Sequence, residues 1–415
     1  MGNREFDIVL YGATGFVGKL TAAYLADVGG ARIALAGRSP DKLLAVRDSL
    51  GDSARSWELI AADATQPSTL AEMAARAQVV LTTVGPYNRY GLPLVAACAA
   101  AGTDYADLTG EPMFMRDSID HFHKQAADTG ARIVHACGFD SIPSDLTVHA
   151  LFRQASADGE GELTDTTMVV RKVAGGLSGG TLASIADVVR AMSSDPDTKR
   201  RLEDPYTLTT DRSAEPEFGP QPDFPWRRGR QIAPELDGYW TAGFIMAATN
   251  TRVVRRSNAL QDWVYGRRFR YSECQSLGTS ALAPVASAVA AGVGALATGI
   301  GGRYLHTVPE KFVEKILPDP GSGPSERTRE RGHYSVETYT TTTTGARYRA
   351  TMSQKGDPGY KATSVLLGES GLALALDRDR LPDLRGVLTP AAAMGDALLA
   401  RFPAAGVSLA TTRLN

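Results

Sequence analysis

The chain has 415 residues, 43% hydrophobic and 22% charged, a balance that excludes a long disordered polymer. Lysine plus arginine (44) against aspartate plus glutamate (46) leaves a net charge of −2, with no basic surplus to neutralise a run of phosphates, which argues against a dedicated nucleic-acid binder. The 3 cysteines, Cys98, Cys137 and Cys274, are far apart and form no CxxC pair, which excludes a disulfide scaffold and a thiolate zinc site.

No metal site is expected from the histidines either: His121 and His123 are two apart and would point to different faces of a helix. At about 150 residues per domain, two or three domains are expected. The first residues, MGNREFDIVLYGATGFVG, lack the basic and apolar regions of a secretory signal, so a cytoplasmic, reducing environment is expected.

Short apolar runs open the chain at 6–11 (FDIVLY), 33–36 (IALA), 57–61 (WELIA), 79–84 (VVLTTV) and 133–136 (IVHA). Between them, stretches such as 18–26 and 68–77 space Leu, Met and Ala at helical intervals. Strands alternating with helices predict βαβ units and a parallel sheet, so residues 1–145 are expected to form one Rossmann-type, doubly wound domain. Residues 146–360 are expected to form a second, α+β domain with antiparallel sheet, for substrate and dimer contacts. Residues 361–415 are expected to be a helical segment packing back on the first domain.

Within the second domain, 194–238 is too rich in Pro, Gly, Asp and Arg for a helix and too long for a plain connection. It reads as an excursion anchored by Tyr206, Phe218, Phe224 and Trp226. No residue from Cys274 to Gly302 is charged, and Val285, Val289, Val293, Leu296 and Ile300 share one helical stripe. Two readings stand: a buried helix or homodimer contact, or a greasy surface helix docking on the inner face of the plasma membrane or on a lipid-carrying partner, with Arg267, Arg268, Arg270 and Arg303 at its ends. Residues 334–352 are β-branched and aromatic around Thr344-Gly345, which predicts a hairpin. Near the end, Thr389 as N-cap and Pro390 at the first position predict a helix over 389–402.

The strongest motif is Gly12-Ala13-Thr14-Gly15-Phe16-Val17-Gly18, placed between strand and helix. The first glycine turns the chain, the second admits a pyrophosphate, and the third lets helix and sheet pack closely. The helix start then offers backbone N–H groups to the anion. After the second strand, where an NAD site would carry Asp or Glu, stand Arg38 and Ser39; a guanidinium there pairs with a 2′-phosphate, so NADP(H) is the expected cofactor. Asp63 meets the adenine or caps the next helix. Val84, Gly85 and Pro86, after the fourth strand, let the chain pass close to the nicotinamide ribose. Tyr87 points into the cleft or packs on the next helix.

These stretches, together with YADLTGE (105–111), CGFDSIPSDL (137–146) and GDPGYKATS near the C-terminus, resemble the saccharopine dehydrogenase-like oxidoreductases over nearly the whole chain. YGATGF, TTVGPY, RYGLPLVAACA, KQAADTGARI, RRSNALQ and LALDRDRLP resemble most closely a mycobacterial group of trans-acting enoyl reductases of phthiocerol-type lipid biosynthesis. That resemblance implies NADPH-dependent reduction of a polyketide or fatty acyl thioester double bond, the thioester being presented by an acyl carrier domain of a separate polyketide synthase. Such a reduction needs a donor for the developing enolate and a proton for the α-carbon. Tyr87, Tyr105, Asp140 and Ser141 are the candidate catalytic residues, with Thr109 a further donor. Asp145 is an acid, a helix cap or a supporting partner, and His135 and His149 read as structural. Two other activities stay open. A saccharopine-type enzyme acting on an amino-acid imine would need an arginine clamp drawn from Arg89, Arg171, Arg190, Arg252, Arg255 and Arg256. A non-enzymatic NADP-binding, lipid-associated protein would bind nucleotide without turnover.

Overall fold

The structure, a computed structural model, describes residues 4–175, 195–212, 215–216, 218, 221–223, 225, 227–280, 282–283 and 323–415. Its first sheet begins with β1 (Phe6–Tyr11), followed by helix α1 (Phe16–Val28), β2 (Ile33–Gly37), α2 (Pro40–Ser49), β3 (Glu58–Ala61), α3 (Pro67–Arg76) and β4 (Ala77–Thr82). It continues through α4 (Tyr87–Ala101), β5 (Asp104–Ala106), α5 (Pro112–Thr129) and β6 (Arg132–Val134). The C-terminal strand β12 (Gly386–Leu388) pairs with β6, giving the all-parallel order β12-β6-β5-β4-β1-β2-β3. Successive residues of β1 go to opposite cores: Ile8 and Leu10 to one, Val9 and Tyr11 to the other. Burial on both faces is why these strands read as unbroken apolar runs.

After α6 (Ile142–Ala157) the chain builds a second sheet from β7 (Leu163–Ala174), β8 (Trp240–Gly243), β9 (Arg270–Gly278), β10 (His333–Thr342), β11 (Arg347–Lys355) and β13 (Val407–Arg413). The order is β13-β11-β10-β7-β9-β8, antiparallel except for the β7–β9 pair. β10 and β11 are the expected hairpin, and Gly345 takes φ +89° at its turn. Helix α7 (Ala247–Leu260) lies between β8 and β9 in sequence.

The tail is more than a helical segment. Helix α8 (Thr363–Leu376) is buried along almost its whole length, with Gly368 against Tyr24 of α1 and Gly371 against Leu81 of β4. Helix α9 (Pro390–Arg401) follows Thr389, and β12 and β13 add one strand to each sheet. The expectation of helix alone fails because these strands are completed only by partners distant in sequence.

Of the excursion's expected anchors, Tyr206 is buried and the Arg270 guanidinium lies 4.8 Å over the Phe218 ring; Phe224 and Trp226 lie outside the described residues. The uncharged stretch begins as strand, since Cys274 to Gly278 belong to β9, and most of the remainder, including its apolar stripe, lies outside the described residues. Among the described residues no helix is long and apolar enough to cross a membrane.

Asp145 joins three helices. It lies in the first turn of α6, and its carboxylate accepts hydrogen bonds from Ser257 Oγ of α7 and, at 2.7 Å, from Ala391 N at the start of α9. Ser141 is the N-cap of α6, so Asp145 caps another helix and not its own. Asp145→Ala leaves the Ala391 N–H buried without a partner and is expected to cost about 1–3 kcal/mol. Urea unfolding of the variant beside the native chain measures it.

Candidate functional site

The glycine loop between β1 and α1 is built to tolerances a side chain breaks. Gly12 takes φ +87°, and a Cβ there would lie 2.7 Å from Val84 Cγ2 and 2.8 Å from Thr83 Oγ1. A Cβ on Gly18 would lie 2.1 Å from Gly12 O, so helix and loop close only over glycine. Gly15 is different: it is exposed, and the one near neighbour of a Cβ is Gly12 O at 3.3 Å, leaving open approach to a ligand. Gly15 is also the N-cap of α1, with no side-chain cap and no acidic residue in the first turn. These features fit a dinucleotide pyrophosphate, received by the backbone of Ala13, Thr14, Phe16 and Val17. The Phe16 side chain faces away from that role, meeting Tyr360 edge-on at 4.9 Å and lying under Arg329 at 5.2 Å.

Arg38 is exposed just past the end of β2 and makes no hydrogen bond or ion pair with a described residue. Ser39, the N-cap of α2, uses no side-chain cap bond. Asp63 is close enough to feel Arg38: hydrogen bonds from Thr65, with the Arg38 charge behind them, hold its carboxyl below the usual range. Asp63 accepts from Thr65 N and Oγ1, both at 2.9 Å, while α3 takes Gln66 as N-cap, so the helix-cap reading of Asp63 is corrected to a turn cap before the helix. Gly85, exposed, and Pro86, half-buried, follow β4 and are joined by a cis peptide, with Val84 half-buried beside Gly12.

The candidate catalytic residues separate into three environments. Tyr87 and Tyr105 are buried in the core beneath α4 and α5. The Tyr87 hydroxyl donates to Thr82 O and accepts from Leu108 N, each at 3.2 Å, and Tyr105 OH donates to Asp107 Oδ2 at 2.8 Å. Of the two readings of Tyr87, packing is the one observed, against Phe114. Asp107 is a hub: it also receives His135 Nδ1 at 2.7 Å and the backbone N–H groups of Thr109 and Ala136. His135 Nε2 meets Ser118 Oγ at 2.8 Å, and Thr109 Oγ1 accepts from Glu111 N. The Glu111 carboxylate in turn caps α4 through Tyr87 N and Asn88 N.

Ser141 stands at the head of a second chain, wholly buried. Its hydroxyl donates to Asn250 Oδ1 at 2.9 Å, Asn250 Nδ2 donates to Glu273 Oε2 at 3.0 Å, and Tyr271 OH donates to Glu273 Oε1 at 2.9 Å. This chain ties the loop after β6 to β9 of the second sheet. Burial pushes Glu273 up to about 7. Asp140 is the third case: half-buried after β6, pushed up to about 6 by burial, and without a hydrogen-bond partner among the described residues.

Glu273 and Asp145 bind protons more tightly folded than unfolded, and both are raised by burial, Asp145 to about 6. The folded state is therefore favoured as pH falls from about 8 toward 5; His123, lowered by burial, opposes this below its ordinary range. Glu273→Gln keeps acceptor and shape without a charge to bury, and is expected to raise the unfolding midpoint at pH 8 more than at pH 5.5. Thermal unfolding at the two pH values checks it.

Sequence reasoning missed the wall supplied by the C-terminal GDPGYKATS stretch. Thr363 Oγ1 accepts from Phe139 N at 2.9 Å, and Tyr360 meets Phe16, so this stretch bridges the glycine loop and the loop after β6. Its turn residues were visible; nothing local pointed to these two distant loops. Of the arginines weighed as an anion clamp, Arg252 and Arg255 are both taken up by Asp223, at 2.9 and 3.5 Å, Arg171 pairs with Glu337 at 3.4 Å, and Arg190 lies outside the described residues.

The parallel sheet and glycine cradle fit a dinucleotide, and residues 8–134 match the family described as the saccharopine dehydrogenase NADP binding domain, which makes the chain an NADP-dependent oxidoreductase. A Mycobacterium tuberculosis protein named as a candidate trans-acting enoyl reductase is 72% identical over 412 residues, covering 99% of this chain and 98% of that protein. Trans-acting enoyl reductases of Mycobacterium bovis and Mycobacterium ulcerans are 66% and 65% identical over 414 residues, each covering 99% of both chains. The chain belongs to the trans-acting enoyl reductase family. Its fold is also that of the saccharopine dehydrogenase (L-Glu forming) of Saccharomyces cerevisiae, with TM-score 0.51 and 14% identity over 98% of this chain and 99% of that one. The cofactor is NADP(H).

Proposed function

We propose that the protein is an NADPH-dependent enoyl reductase acting in trans, reducing the carbon–carbon double bond of a polyketide or fatty acyl thioester presented on an acyl carrier domain of a separate synthase. The observation that carries this reading is the 72% identity along the whole chain to a relative named for that activity. Ala13 to Gly18 would hold the pyrophosphate, Arg38 and Ser39 the 2′-phosphate, and Val84 to Pro86 the nicotinamide side.

When bound, NADPH supplies hydride to the β-carbon of the unsaturated thioester. The chain must then stabilise negative charge on the thioester oxygen and protonate the α-carbon. Asp140 is the proposed proton donor, because burial pushes it up to about 6, so that a fraction stays protonated approaching neutrality, and no described side chain consumes it. Ser141 is proposed as a positioning residue: its hydrogen is already given to Asn250, which ties Asp140 and the start of α6 to the second sheet. Tyr87 and Tyr105 support the site from beneath, through Leu108 and Asp107.

The test is NADPH consumption by the purified protein with short and long enoyl thioesters, beside an amino-acid imine. Turnover of an enoyl thioester supports the reading. Turnover of the imine alone, or of neither, overturns it.

A further inference from the structure

A half-open cleft of about 330 Å³ lies away from the glycine loop, between the chain at 209–211 and the C-terminal end of α7. Its lining includes Thr209, Asp211, Arg256, Asp262, Trp263 and Arg267. Arg256 lies two turns further along α7 than Thr249, whose hydroxyl donates to Gly110 O. A volume of this size is in the range of small-ligand sites, about 300–1,000 Å³.

Two buried polar atoms on this lining have no partner among the described residues: Thr209 Oγ1 and Arg256 Nε. Both side chains are 2% exposed. The other two Arg256 nitrogens donate to the backbone carbonyls of Leu208 and Val387, which carry no formal charge. Among the described residues no carboxylate forms an ion pair with Arg256, on which Asp120 acts only at longer range, so a buried cation and an orphaned hydroxyl share one lining. Leaving such groups unsatisfied is costly, and an oxyanion would satisfy both. The end of α7 is tied to the turn that follows it, since Asn258 Oδ1 accepts from Tyr265 N at 2.8 Å and Asn258 Nδ2 donates to Gly266 O at 3.2 Å.

We propose that this cleft binds the phosphate or carboxylate end of a small molecule between Thr209 Oγ1 and Arg256 Nε, at a site separate from the cofactor's. Arg267 adds a second positive charge to the lining, which it shares with the carboxylates of Asp211 and Asp262.

The experiment is isothermal titration of the full chain, first saturated with NADPH so that the cofactor's own phosphate sites are filled. Inorganic phosphate and acetate are titrated in separate arms, which decides between the two oxyanions. Saturable binding in either arm is expected, weakened at least tenfold in Thr209→Val and several-fold in Arg267→Gln, whose exposed side chain can change without disturbing the core. No binding in either arm, or binding unchanged in both variants, overturns the proposal; occupancy by ordered water alone gives the first of these results.

Discussion

Arg38→Ala is expected to lower the preference for NADPH over NADH by about 10²-fold, through a weaker NADPH affinity and little change with NADH. A charge-assisted hydrogen bond to a guanidinium contributes about 1.5–3 kcal/mol, and each 1.4 kcal/mol is tenfold. Arg38 has the freedom this role requires: it is exposed past the end of β2 and makes no ion pair or hydrogen bond with a described residue. Its removal therefore breaks no packing, and stability should change by less than about 0.5 kcal/mol. The ratio of kcat/KM for the two cofactors, measured on both proteins, reads the effect. An unchanged ratio would place the 2′-phosphate elsewhere.

Asp140→Asn is expected to lower kcat by about 10²–10⁴-fold while NADPH affinity stays within a few-fold. The amide keeps size and polarity but cannot deliver the proton. In the native protein the group must be protonated to act, and burial places it at about 6. Turnover should therefore fall as pH rises through about 6, and that descending limb should vanish from whatever activity Asp140→Asn retains. Stopped-flow turnover across pH 5 to 8.5, with cofactor binding followed separately, distinguishes this from a merely structural loss. A variant with native kcat and the native pH profile removes Asp140 from the chemistry.

The parts of the fold legible in the sequence are those dictated locally. β1, β2 and β4 are buried on both faces, and such strands cannot hide among polar residues. The glycine loop is equally legible, because Gly12 and Gly18 are demanded by backbone geometry that other residues break. β5 and β12 were not legible. Each has three residues, and β5 opens on Asp104, a buried carboxylate tolerated because Arg378 pairs with it at 2.7 Å and Arg132 N donates to it. Those partners come from other parts of the chain, and no local pattern announces them.

The same distinction runs through the site. Arg38 could be singled out because the position after β2 lies near the ribose in dinucleotide sites, and the structure leaves its side chain exposed there. The tyrosines were not, since Asp107 and Leu108 take up their hydroxyl groups only once β4, β5 and the following loop are assembled. Nor was Glu273, whose place beside Asn250 depends on the second sheet docking against α7.

The most direct measurement is mass spectrometry of the acyl thioester after single turnover with NADPH. The account predicts a saturated product two mass units heavier than the enoyl substrate, formed in equal amount to the NADPH consumed and absent with Asp140→Asn on the same timescale. NADPH bound with native affinity and an enoyl thioester left unsaturated, across short and long chains, contradicts it.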